Sequence, residues 1–216
     1  WRWKVPADFN IASACAHRWA GDPARIGTPA IRWEDESGAT AEISYGELSR
    51  LVNRMASALS YLGLKSGDRI AVCLPQRIET AVALLAILQI GAIAVPLTVL
   101  FGPDALAYRL KNAECKLAIC DTASLANVMA IRDEVPTLMR IIACAGVSDV
   151  NALDWDKVIA TGSDQYPVTV TRADETALII YTSGTTGPPK GALIPHRALF
   201  GNLSGFVYSH NQFPQT

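Results

Sequence analysis

No sign of charge dominates this sequence. Nineteen lysines and arginines face 20 aspartates and glutamates across 216 residues, for a formal net charge of −1. Without a basic excess there is no global attraction for nucleic acid or anionic lipid. No stretch interleaves aromatic with basic side chains, as a nucleic-acid surface would. CxxC spacing is also missing. The five cysteines (Cys15, Cys73, Cys115, Cys120, Cys144) are odd in number, and four lie in or beside apolar runs, where a thiol behaves as a small hydrophobe. This argues against a disulfide framework or zinc cluster and suits a reducing, cytoplasmic compartment; nothing marks a catalytic thiol. The opening WRWKVPADFN lacks the apolar centre of a signal peptide, and the chain has no internal repeat or low-complexity tract. A small molecule or another protein is the expected partner.

Long apolar runs are not lacking. AVALLAILQIGAIAVPLTVLF, from Ala81 to Phe101, carries no charge and is long enough to cross a bilayer. Gly91 and Pro96 punctuate it where a helix would hand over to a strand, Gln89 lies inside it, and no basic cluster flanks it. A buried helix running into a buried strand is the expected reading, with no membrane span.

Elsewhere strand-like and helix-like segments alternate. Ala30–Trp33 and Thr40–Ile43 flank the polar turn EDESGA as a hairpin, with Glu34, Asp35 and Glu36 as a solvated acidic run. Ser44 and Glu47 have capping-box spacing and open a helix whose stripe is Leu48, Leu51, Val52, Met55, Leu59 and Leu62, with Gly63 to end it. Strands are expected at 69–74, 93–97, 116–121, 140–144 and 177–181, and helices at 78–89, from Gly102-Pro103-Asp104 onward, and at 123–134. Thr161 to Arg172 reads as a polar connection and a weak boundary at best. Continuous apolar strands separated by helices indicate an α/β fold with a largely parallel sheet flanked by helices on both faces. Ligands of such sheets sit at the carboxyl ends of strands.

The last apolar strand, ALII, runs directly into YTSGTTGPPKG. Gly184, Gly187 and Gly191 let backbone approach a ligand closely, Thr182, Ser183, Thr185 and Thr186 add hydroxyls, and Lys190 adds a cation. Donors at this density with one positive charge match a polyphosphate. An ordinary surface loop would share the composition but not the position after a core strand or the closing lysine. The spacing is not that of a Walker loop. Pro189 stands where the second glycine of GxxxxGK[ST] is needed, and Gly191-Ala-Leu-Ile-Pro195 looks extended, with a helix beginning only near His196. His17, His196 and His210 are scattered; His196 suits capping or packing better than catalysis. Tyr181 could stack on a ligand or fill the strand's end.

YTSGTTGPPKG, with the short strand and His196 after it, resembles the phosphate-binding motif of the adenylate-forming (AMP-binding) superfamily. Ile43-Ser-Tyr-Gly-Glu-Leu48 is similar to that family's early "TYxEL" helix start, and Leu88–Leu97 to its "GAxxVPL" segment. Phe9-Asn-Ile-Ala-Ser13 and Arg18-Trp-Ala20 look most like acyl-CoA synthetases of the acetate and medium-chain type. The resemblance implies an ATP-dependent ligase in fatty-acid metabolism that turns a small-molecule carboxylate into an acyl-adenylate and then, with CoA, into a thioester, using Mg2+. It implies nucleotide binding by Thr182, Ser183, Gly184, Thr185, Thr186, Gly187 and Lys190. No confident catalytic or metal-ligating residue lies in this chain.

Family members are well over twice this length. Their acyl-pocket motif, adenine and magnesium segment, ribose-binding aspartate, hinge and C-terminal lysine are all expected beyond Thr216. Residues 1–216 therefore read as a partial N-terminal AMP-binding domain, inactive alone and prone to self-association. A nucleotide-binding piece without turnover, or an adenylation domain activating amino or aryl acids, are the alternatives.

Overall fold

The structure is a computed structural model that describes residues 4–144, 151–182 and 187–209. A hairpin, β1 (Pro29–Glu34) against β2 (Thr40–Ser44), leads into α2 (Tyr45–Tyr61); before it, the π-helical turn Ser13–His17 runs into the short helix α1 (Arg18–Ala20). The capping box forms as its spacing predicts. Glu47 N–H donates to Ser44 Oγ at 3.2 Å, while Ser44 N–H donates to Glu47 Oε2 at 2.9 Å. One face of α2 then buries Leu48, Val52, Met55 and Leu59.

The main body alternates β3 (Arg69–Cys73), α3 (Ile78–Gln89), β4 (Ile93–Pro96), α4 (Pro103–Asn112), β5 (Cys115–Cys120), α5 (Thr122–Ala130), β6 (Arg140–Ala143), β7 (Leu153–Asp154), α6 (Trp155–Ala160), β8 (Thr176–Thr182), β9 (Lys190–Pro195) and α7 (Ala198–Ser209). Among the described residues the sheet has seven strands in the order β7-β6-β5-β3-β4-β8-β9. All neighbours pair in parallel except β8 and β9. Alternate side chains of each strand feed two cores. Ile70, Val72, Ala94, Leu117, Ile119 and Ile142 pack toward α2, α3 and α6. Ala71, Val95, Ala118, Ile141 and Ile179 pack toward α4 and α5. The expected largely parallel sheet with helices on both faces is what forms.

The charge-free run resolves into the end of α3, a turn at Gly91, and β4. No helix among the described residues is long and apolar enough to cross a membrane. The helix expected over 123–134 stops at Ala130 and tightens into a 3-10 turn, Arg132–Glu134. Pro136 bars the helical conformation at the residue before it, so the last turn cannot continue. Thr161 to Arg172 is no boundary. Asn53 Nδ2 donates to the Asp164 carbonyl at 2.8 Å, the Tyr166 hydroxyl meets Ser60 Oγ at 2.7 Å, and Thr169 N–H donates to Gln89 O at 2.8 Å. These bonds lay the connection along α2 and the end of α3.

Candidate functional site: the β8–β9 hairpin

Strand β8 runs parallel to β4, so its carboxyl end lies on the edge where ligands of such sheets bind. It then turns back on itself. Tyr181 pairs with Gly191 and Thr182 with Lys190 across an antiparallel ladder. β8 and β9 are thus the two legs of a hairpin, and the extended look of Gly191–Pro195 is that of a real strand. Ser183, Gly184, Thr185 and Thr186 lie outside the described residues. Thr182, Gly187 and Lys190 are described, and all three are exposed.

Directly opposed residues of an antiparallel pair project to the same face, roughly 5 Å apart at Cβ. The Thr182 and Lys190 side chains thus leave the backbone side by side at the end of the ladder. Among the described residues Lys190 joins no ion pair. Gly187 sits at φ +93°, in the left-handed region that glycine enters without strain. Gly191 has a different reason. A Cβ there would lie 2.8 Å from Ile179 Cγ2 and 3.4 Å from the Tyr181 ring, so its bare backbone makes room for the ring beside it.

Tyr181 fills the strand's end, which settles the two readings the sequence left open. It packs against the core on the α4 side, and its hydroxyl donates to Asn112 Oδ1 at 2.7 Å. Burial pushes its phenol up to about 12, so it remains a neutral donor. His196 is also structural. It is buried, its Nδ1 accepts from Ile11 N–H at 3.2 Å, and burial lowers its pKa. His17 joins a core network: Nδ1 meets Ser49 Oγ at 2.8 Å and Nε2 meets Gln89 Oε1 at 2.9 Å. Gln89 Nε2 in turn donates to Asn53 Oδ1 and the Tyr166 carbonyl, at 2.8 and 2.9 Å. The polar residue inside the apolar run is thus fully paired, as burial requires.

Burial raises the pKa of all five cysteine thiols. Desolvation pushes the thiols of Cys115 and Cys144 up to about 12 and raises Cys120 further, so no reactive thiolate forms there at neutral pH. A cavity of about 340 Å³ opens away from the hairpin, between Trp33, Leu51, Arg77, Glu79, Trp155 and Asp156. Its central charges satisfy each other: Arg77 binds Glu79 through two hydrogen bonds, of 2.7 and 2.6 Å. Among the described residues no three carboxylate, imidazole or thiol groups converge to hold a metal ion.

The loop begins at a strand's carboxyl end, as the sequence suggests, with Thr182 closing β8 and Lys190 opening β9, but sequence reasoning missed what holds them there. Tyr108 of α4 donates to the Pro189 carbonyl at 2.9 Å, a contact across 81 positions that no local pattern could announce.

Residues 16–216 match the AMP-binding enzyme family. The chain is 34% identical to an acetyl-coenzyme A synthetase of Magnetococcus marinus over 208 residues, covering 89% of this chain and 32% of that protein. It is 36% identical to an uncharacterized acyl-CoA ligase of Bacillus subtilis over 175 residues, 81% of this chain and again 32% of the relative. The fold superposes on the crystal structure of an anthranilate CoA ligase in complex with anthranoyl-AMP, with a TM-score of 0.85 at 22% identity, over 93% of this chain and 37% of the other. The chain spans about a third of the length of each of these proteins. With nearly its whole length matched, sheet and glycine-rich hairpin included, the chain belongs to the AMP-binding enzyme family.

Proposed function

We propose that this chain is the phosphate-loop part of an ATP-dependent acyl-CoA synthetase. Thr182, Ser183, Gly184, Thr185, Thr186, Gly187 and Lys190 hold the β- and γ-phosphates of ATP. One observation carries the reading: Lys190, which joins no ion pair among the described residues, is register partner of exposed Thr182 where β8 ends at the sheet's carboxyl edge. The names of the relatives supply the reaction type.

In the first half-reaction a carboxylate oxygen attacks the α-phosphorus of ATP, the bond to the bridging oxygen breaks, and pyrophosphate leaves. The nucleophile is already an anion, so no protein base is required. Catalysis then rests on positioning and on neutralising charge as it builds on the leaving group. In this reading Lys190 neutralises that charge, and the loop's hydroxyls and amides add donors. In the second half-reaction the CoA sulfur attacks the acyl carbon and AMP departs. The magnesium that accompanies ATP would be held by the nucleotide's own phosphate oxygens, since no carboxylate cluster among the described residues fits it. No step is assigned to it.

Residues 1–216 form part of a larger AMP-binding domain in this reading. The adenine, ribose and acyl contacts and a C-terminal lysine domain come from sequence that this chain does not contain. Free buried thiols suit a reducing cytoplasm. The test is ATP–pyrophosphate exchange in a full-length enzyme carrying this chain. Lys190→Ala and Thr186→Val should each slow exchange by about 10²–10³-fold, the loss typical of removing one preorganised donor from a transition-state oxyanion. Unchanged exchange in both variants refutes the assignment.

A further inference from the structure

The hairpin is gripped from behind by a single helix. Tyr108 and Asn112 are four residues apart on α4 and so share one face. Tyr108 takes the returning leg, its hydroxyl donating to the Pro189 carbonyl at 2.9 Å. Asn112 takes the outgoing leg, accepting from the Tyr181 hydroxyl at 2.7 Å, while that hydroxyl also lies 3.1 Å from the Arg109 carbonyl. Between them the Arg109 guanidinium lies 4.0 Å from the centre of the Phe101 ring and 5.7 Å from that of Tyr181. Its Nη1 donates to the Ala105 carbonyl at 2.7 Å, which fixes the group within the helix.

The two fastened residues are the immediate neighbours of the two functional ones. Tyr181 precedes Thr182, and Pro189 precedes Lys190. Tyr181 faces α4, and alternation along a strand sends Thr182 and its partner Lys190 to the opposite face. The helix therefore holds both legs one residue before the ligand-facing side chains and never occupies the ligand's side.

We propose that α4 is the positioning element of the phosphate site, with Tyr108 and Asn112 as positioning residues that fix the direction and separation of Thr182 and Lys190. The proposal rests on the phosphate-binding reading above. Holding a backbone segment in one geometry costs conformational entropy. Fixing the ends of the two strands before ligand arrives removes part of that cost from binding, which is how a preorganised site gains affinity. A staple serving stability alone would shift the unfolding midpoint and leave ligand affinity untouched.

The experiment uses the 216-residue chain, with ATP as the probe. Tyr108→Phe keeps the ring and deletes only the hydroxyl; Asn112→Ala instead removes the shorter of the Tyr181 hydroxyl's two acceptors, leaving it the Arg109 carbonyl. Each is examined by amide hydrogen exchange over residues 187–191, by ATP titration and by urea unfolding. Both variants should raise exchange in that segment and weaken ATP by about three- to tenfold, the range of one net hydrogen bond. Tyr108→Phe should do so with little change in unfolding midpoint. Unchanged exchange, or faster exchange with unchanged ATP affinity, overturns the proposal. If the unaltered chain binds no ATP, the phosphate reading fails and takes the functional half of this proposal with it, while exchange still decides whether the clamp exists.

Discussion

Strands β3 and β8 read alike in sequence, as short apolar runs, yet the molecule uses them in opposite ways. β3 lies between β4 and β5 with helices on both faces, and Ile70, Ala71, Val72 and Cys73 are all buried. β8 begins the same way at Ala177 but loses cover toward its end, where Ile180 is 40% exposed. Its partner β9 lies at the edge of the described sheet, with Leu193 64% exposed. The centre of the sheet is built for stability. The β8–β9 edge keeps one face packed, on α4, and leaves the other open beside the loop. The proposed phosphate binding needs that asymmetry, since a strand buried on both faces would leave no side for a polyphosphate.

The largest expected effect that sharpens this contrast is in the centre. Ile70→Ala should destabilise the chain by about 2–5 kcal/mol in urea unfolding, as truncation of a fully buried branched side chain does. Ile180→Ala should cost well under half as much, because part of its surface is already in water. Equal losses at the two sites would erase the distinction between core and edge.

A second effect, of about 1–3 kcal/mol, is expected from Gln89→Ala, which strips partners from His17 and Asn53 inside the core. Acid should act on the same network and at the edge together. Burial lowers the pKa of both His17 and His196, so between the folded value and the unfolded value of about 6.5 the unfolded chain binds more protons. Stability is therefore full above that unfolded value and falls as pH drops below it. Substituting either histidine by glutamine should flatten the slope of unfolding free energy between about pH 6.5 and 5. A chain that grows more stable through that window contradicts the assignment.

The smallest effect on stability should come with a visible change in association. Leu193→Thr, at an exposed edge, should alter unfolding by no more than about 0.5 kcal/mol. Open apolar edges favour pairing between chains, so the same substitution should lower any self-association detected by light scattering. An unchanged scattering profile from an associating parent would assign association to another surface.

The sequence carried the parts of this fold that are written locally. The Ser44–Glu47 box, the strand positions, and the turn between α3 and β4 follow from spacing and from glycine and proline placement, and the structure has them within a residue or two. Pairing direction did not follow. Nothing in ALII or GALIP distinguishes a parallel neighbour from an antiparallel one, because that choice is made by the length of the connection between them. The strand β7 and helix α6 went unread because their apolar content is short, with Trp155 and Val158 the buried anchors. In the candidate site, the position of Thr182 and Lys190 after the last apolar strand was legible from composition and order. The role of Tyr181 and the grip of α4 were not, since both depend on contacts about 70 to 80 residues apart in sequence.

The central claim is that the β8–β9 hairpin holds polyphosphate, and the most direct measurement is the affinity of the 216-residue chain for tripolyphosphate, with and without Lys190. The triphosphate has no adenine or ribose, so only the loop's own contacts are read. Binding should be weak but measurable, should weaken by at least about tenfold in Lys190→Ala through loss of one charge-assisted contact, and should leave the unfolding midpoint unchanged. Equal affinity in the two proteins would contradict the account.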